Sequence, residues 1–227
     1  VLRLKIHEAN VGKVKIIQDD VIRPWLADAI SRRVKEGKVF NERTAESMVS
    51  DINELYNVSA SLALQPGEEF KTTDLNVNIK EKEEDIQRIT IDNYGSELTG
   101  QNVASLHYER SNFMQMGERF TMDVRRSDAS LWSVAGALEM PIGLRNTKVI
   151  LSALHSKNDI GDRLASLKAE GETTMASIAL SNDVLNTRNK RANLQLGLET
   201  RTHKSFIGGG FDDTKDDIRQ VFAEGSY

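Results

Sequence analysis

Ile86 to Arg110 reads IQRITIDNYGSELTGQNVASLHYER. Apolar and polar residues alternate at both ends, and a cluster of Asp, Asn, Gly and Ser lies between them. Period two argues for half-buried strands, and the cluster for the turn that joins them. Upstream of this stretch, apolar residues recur at three- and four-residue steps. Downstream, strands and turns run to Tyr227. The stretch is the junction between a small α+β unit and a long all-β one.

Working back from the junction, Leu75, Val77 and Ile79 lie on one side of a strand, and PGEE connects it to an earlier strand carrying Val58, Ala60, Leu62 and Leu64. Before these, Ala45, Met48, Val49, Ile52, Leu55 and Tyr56 follow helical spacing, and Asn41 is placed to cap that helix. The spacing predicts this helix over 41–56 and an earlier one over 22–35. For the earlier one Asp19 and Asp20 offer caps, Pro24 suits the first turn, Leu26, Ala29, Ile30 and Val34 form the stripe, and Gly37 supplies the stop. KVKII after Gly12 alternates as the first strand. The order β-α-α-β-β predicts two helices on one face of a small sheet. LRLKIHE at 2–8 resembles LNVNIKE at 75–81. Two readings stand: residues 1–8 are the last strand of a preceding copy of the unit, or any two amphipathic strands match this well.

Working forward, strand-like segments recur at 87–93, 101–111, 117–126, 131–140, 146–156, 173–182 and 191–207. In the last, Leu194, Leu196 and Leu198 oppose Asn193, Gln195, Glu199 and Arg201. Segments of about ten residues with alternating polarity suit a tilted strand crossing a bilayer. SNFMQMGE, MPIGLRN and VLNTRNK are compact connections, whereas 157–172 is longer. A transmembrane barrel and a soluble sandwich both remain open on periodicity.

Composition narrows the function. The net charge of −4, without a basic run, argues against nucleic acid. Without Cys, thiolate and disulfide chemistry are excluded. His7, His107, His155 and His203 are too dispersed to read as metal ligands. GGG at 208–210 follows a strand and precedes no helix, so it reads as a flexible connection rather than a phosphate loop. No paired carboxylates or nucleophile motif stands out, so the expectation is a non-enzyme with no cofactor and no nucleotide. Trp25 reads as helix packing, and Trp132 either as packing or as part of an interfacial aromatic girdle.

The order of parts, IDNYGSELTG at 91–100, LQPGEEFKTTDLNVNIKE at 64–81 and WSVAGALEMPIGLRNTKVILSALHS at 132–156 together resemble the haemolysin-activator, or TpsB, family of two-partner secretion transporters. The barrel-assembly insertase belongs to the same superfamily. The match to the family's barrel-start motif rests on Asp92, Asn93, Tyr94, Gly95, Ser96, Thr99 and Gly100. The resemblance implies that 1–85 is a POTRA (polypeptide-transport-associated) domain in the periplasm and 86–227 the N-terminal part of an antiparallel transmembrane β-barrel in the bacterial outer membrane. Such transporters carry a plug helix, two POTRA domains and about 16 strands. The chain therefore reads as a fragment, without the later barrel half and its VRGY-like motif.

The implied partners are a secreted exoprotein client (TpsA-like) and outer-membrane lipid. Client capture by strand addition points to Val58, Ser59, Ala60, Ser61 and Leu62. A proline at Ser59 or Ser61 would block pairing if that N–H points outward. An outer-membrane assembly factor with a POTRA docking module and a soluble periplasmic binding module are the alternatives.

Overall fold

The computed structural model describes residues 8–82, 85–142, 146–187, 190–208 and 212–227. The echo at 2–8 lies almost wholly outside these residues, as do Gly209 and Gly210. The chain divides into two compact units. The first comprises the described residues up to 82 together with Asn112–Glu118 and Asn146, and the second comprises the rest.

In the first unit the order is β1 (Asn10–Ile17), α1 (Pro24–Ser31), α2 (Glu42–Asn53), β2 (Val58–Pro66) and β3 (Thr72–Glu81). The sheet order is β1-β3-β2, with β3 parallel to β1 and antiparallel to β2. Both helices supply one apolar stripe: Leu26, Ala27 and Ile30 from α1, and Ala45, Met48 and Ile52 from α2. These meet Val11, Val58, Leu75, Val77 and Ile79 from the sheet in one core. Each fully buried side chain of this size contributes about 1.5–3 kcal/mol.

The ends of the helices differ from expectation. Asn41 caps α2 as its position predicts, its Oδ1 accepting from the Thr44 N–H at 3.3 Å. Helix α1 is capped by neither Asp19 nor Asp20: Arg23 is its N-cap residue, with Pro24 in the first turn. It ends at Ser31, short of Gly37, because Arg33 N–H donates to Ile30 O and Val34 N–H to Ser31 O, tightening the last turn. Val34 still reaches the core from beyond the helix. Trp25 is 55% exposed, which overturns the packing role expected of it: it lies one residue before the buried stripe.

The second unit is one eight-stranded antiparallel sheet in which every strand pairs with its neighbours in sequence. Its strands are β4 (Ile86–Asp92), β5 (Val103–Ser111), β6 (Arg119–Ser127), β7 (Trp132–Pro141), β8 (Thr147–Asp159), β9 (Glu170–Thr187), β10 (Lys190–Ile207) and β11 (Asp212–Ser226). A short 3₁₀ turn, Asp162–Leu167, lies within the longer connection before β9. Seven of the eight strands match the seven expected segments; β11 is additional. Within this unit a second sheet, which a sandwich requires, is absent among the described residues.

Candidate functional sites

Three features stand out: the open face of the large sheet, the loop that carries the DNYGSELTG motif, and the edge of the small sheet. The large sheet sorts its side chains by parity. Phe120, Leu138, Leu151, Ile178, Leu198 and Val221 form one continuous cross-strand row. Leu198 is 56% exposed and Val221 80%, with Ile178 at 49%. One residue along, the row on the opposite face reads Thr121, Ala137, Ser152, Ser177, Glu199 and Gln220.

Polar groups on that second face satisfy one another. Ser152 and Ser177 hydroxyls lie 2.6 Å apart, Gln220 Nε2 donates to Glu199 at 3.2 Å, and Arg201 pairs with Glu199 at 2.9 Å. Arg119 pairs with Glu139 on the same face. Among the described residues, Val103 and Ala179 are the buried hydrophobic residues of this unit; all the other buried hydrophobic residues belong to the first. A sheet with large exposed side chains on one face and a hydrogen-bonded polar network on the other needs an apolar medium against the first face. No described helix is long and apolar enough to cross a membrane, which says nothing of crossing by strands.

The motif closes the β4–β5 connection as a compact loop. Asp92 at the end of β4 accepts from Tyr94 N–H at 3.0 Å, and Gly100 N–H donates to Ser96 O at 2.9 Å. Thr99 O accepts from the Ser127 hydroxyl. A Cβ at Gly95 would lie 2.1 Å from Gly100 O, and Gly100 holds φ +111 with Ser127 Oγ 2.6 Å from where its Cβ would be. Those two positions exclude side chains for different reasons, close approach and backbone conformation. Asn93 follows β4 directly, and Tyr94 is 88% exposed.

Three of the histidines have side-chain partners within the sheet. His107 lies 2.7 Å from Asp123, His155 2.9 Å from Thr174 and His203 2.9 Å from Thr173. His7 lies outside the described residues. Trp132, 39% exposed, opens β7 and packs its ring 5.0 Å from that of His155.

In the small sheet β2 is an edge, since it pairs with β3 alone among the described strands. Which of its groups face outward follows from two bonds. Ala60 N–H donates to Asn53 Oδ1 at 2.8 Å, and Ala60 O accepts from Asn53 Nδ2 at 3.2 Å. Asn57 O accepts instead from Lys82 N–H, on the β3 side. Backbone groups alternate in an antiparallel ladder, so Val58, Ala60, Leu62 and Leu64 face outward while Ser59 and Ser61 face β3. A proline at Ser59 or Ser61 would therefore damage the ladder, and the informative positions are Leu62 and Leu64. The Val58 side chain is in the core, Ala60 and Leu62 pack against it, and Leu64 is 50% exposed. At the hairpin tip beyond β2, Glu68 hydrogen-bonds Lys13 at 2.8 Å. That bond and its charge raise the Lys13 pKa above the ordinary lysine value.

One constellation escaped sequence reading. The segment Asn112–Glu118, expected only as a compact connection, belongs to the first unit. The buried Asn112 side chain donates to Val21 O and accepts from Gly117 N–H, each at 2.9 Å. Glu118, fully buried, accepts from the backbone N–H groups of Met114 and Met116. Arg23 N–H donates to Gln115 O at 2.9 Å and Tyr56 N–H to Gly117 O at 3.2 Å. Nothing in the periodicity of SNFMQMGE signals such docking, because its partners lie far away in sequence.

The family description "Haemolysin secretion/activation protein ShlB/FhaC/HecB" matches residues 71–213, more than half of the chain. The chain belongs to the ShlB/FhaC/HecB family. This is a family of TpsB-type outer-membrane secretion transporters, in which a secreted exoprotein is the partner in general. No curated protein sequence matches the chain.

Solved structures share the fold. A CdiB from Escherichia coli is 17% identical, with a TM-score of 0.71 over 94% of this chain and 42% of that one. A CdiB from Acinetobacter baumannii is 14% identical, with a TM-score of 0.65 over 96% of this chain and 46% of that one. BamA from Haemophilus ducreyi lacking POTRA domains 1–3 is 16% identical, with a TM-score of 0.61 over 94% of this chain and 43% of that one. This ShlB/FhaC/HecB member thus spans less than half the length of each of these structures.

Proposed function

We propose that the chain is part of a transporter that moves a large exoprotein, of haemolysin or adhesin type, across the outer membrane in two-partner secretion. In this reading residues 1–85 are a POTRA domain in the periplasm. Residues 86–227 are the N-terminal part of the β-barrel, and Asp92 to Gly100 mark its start. The row from Phe120 to Val221 faces lipid, and the row from Thr121 to Gln220 faces the lumen. Client capture uses the β2 edge by main-chain pairing, which tolerates varied client sequences. With no nucleotide to drive it, transport draws on client folding outside the cell.

The single observation that carries the reading is the one-sided sheet: a continuous cross-strand row of apolar side chains, exposed from Leu151 to Val221, backed by a polar row. The client-capture part of the reading is tested by secretion of the client by cells carrying the full-length transporter with Leu62→Pro or Leu64→Pro. We expect client to accumulate in the periplasm while transporter levels in the outer membrane stay normal. Secretion at the wild-type rate in both variants removes the β2 edge from the mechanism.

The likeness to BamA supports a second reading, an assembly factor for other outer-membrane proteins. The two separate in a depletion experiment. Loss of one exoprotein from the medium supports secretion, whereas loss of many barrel proteins from the outer membrane supports assembly.

A further inference from the structure

The two edges of the small sheet are treated unequally. Along β1, Val11 N–H donates to Lys38 O at 2.7 Å and Val11 O accepts from Gly37 N–H at 2.8 Å. Val14 N–H is taken up by the Glu36 carboxylate at 3.1 Å. The loop after α1 therefore covers the first half of that edge.

Along β2 the cover among the described residues is one side chain. Asn53, the last residue of α2, places its carbonyl oxygen on Ala60 N–H and its amide nitrogen on Ala60 O. A carboxamide carries one donor and one acceptor on a planar group, as a peptide unit does. Asn53 thus occupies the position that a peptide unit of an added strand would take. At the other end of β2 stands Pro66, an outward position with no N–H to offer. Between these two stops lie Leu62 and Leu64, whose outward N–H and C=O groups have no partner among the described residues.

We infer that Asn53 is a register stop on the client-binding edge, limiting an added strand to the stretch from Leu62 to Pro66 until its carboxamide is displaced from Ala60. The occupant is an extended segment of the client with unblocked backbone amides at every second residue. Leu64, half exposed, offers apolar contact to the side chain that lies beside it. The inference rests on the strand-addition reading above and adds to it a residue outside the strand itself. Asn53 acts by occupying Ala60, so it is a positioning and specificity residue.

The test uses the full-length transporter in detergent and a fluorescein-labelled synthetic peptide of alternating Val and Thr with terminal lysines. Affinity is measured for wild type, Asn53→Ala, Asn53→Leu, Leu62→Pro and Leu64→Pro, each checked for native circular dichroism. Hydrogen exchange at Ala60 is followed with and without peptide. Asn53 is exposed, so its replacement leaves the core of the unit intact.

The expected result has three parts. Ala60 exchanges faster in free Asn53→Ala than in free wild type. Peptide binds Asn53→Ala and Asn53→Leu roughly fivefold to tenfold more tightly, as about one net hydrogen bond would give. Peptide also protects Ala60 in those variants but not in wild type. If either proline variant loses binding while both Asn53 variants bind as wild type does, the edge reading stands and the register stop is overturned. If folded Leu62→Pro and Leu64→Pro both bind as wild type does, the edge reading itself falls and the stop with it.

Discussion

Gly100 shows what a residue-scale constraint does. Its φ of +111 lies outside the range that L side chains adopt readily, and Ser127 and Asp128 fill the space a Cβ would need. Gly100→Ala should lower stability by more than about 1 kcal/mol. The check is a shift of the urea midpoint in detergent, followed by tryptophan fluorescence from Trp132. Glu118 is a comparable case in the first unit. Glu118→Ala leaves the Met114 and Met116 N–H groups without their acceptor and should cost about 1–3 kcal/mol. Glu118→Gln, which keeps one carbonyl acceptor, should recover part of this, both variants being read from thermal melts followed by circular dichroism. The motif containing Gly100 was legible because glycine in a turn cluster is a local signal. Asn53 and Asn112 were not, since an asparagine reads as cap or turn until the distant carbonyl or amide it serves is known.

At the scale of elements, sequence reading succeeded where one face of a strand or helix meets a single environment. Helix α2 and strand β10 are the clearest cases: Met48 and Ile52 sit at helical spacing, and Leu194, Leu196 and Leu198 at period two. Strand β11 was missed because its apolar residues, Ile218, Val221 and Phe222, break period two, and its first half is crowded with aspartates. The β10 ladder supplies the order its own pattern lacks, pairing Arg201 with Ile218 and Leu198 with Val221. Helix α1 was drawn too long because Val34 falls on the stripe yet reaches the core from the turn beyond Ser31. A substitution pair tests the two faces of β10. Leu198→Arg should destabilise the lipid-inserted protein by about 2–4 kcal/mol. Gln195→Arg, on the polar face, should change it by less than about 1 kcal/mol. Both are read from denaturant titrations in phospholipid vesicles.

For the molecule as a whole, the two units make opposite demands on solvent. Residues 1–85 carry their own core, so Ile52→Ala should destabilise that unit by about 2–5 kcal/mol, measured by circular dichroism on heating. Residues 86–227 have no comparable interior among the described residues, so they should require detergent or lipid. A cooperatively folded, monomeric 86–227 in plain buffer would overturn the barrel reading. This contrast was visible in the sequence as the end of the mixed helix-and-strand pattern near residue 85, after which period two runs almost alone. The docking of Asn112–Glu118 was not, because it joins residues about ninety positions apart.

Strand order also dictates a timetable. In the large sheet every partner is the next strand in the chain, so each hairpin can zip onto the last as soon as it arrives, with little entropy lost to loop closure. The small sheet has no such freedom. Its middle strand is the last to be made, and β1 waits for β3 across both helices, Asn10 for Thr72. A chain threaded N-terminus first therefore presents an unfinished small sheet until Glu81 has passed, while the β strands behind it begin pairing at once. During that interval β1 and β2 both lack their shared neighbour, and the chain is open to mispairing and proteolysis. Pulse proteolysis of chains stalled before and after Glu81 would show protection of the small sheet appearing in one step rather than strand by strand.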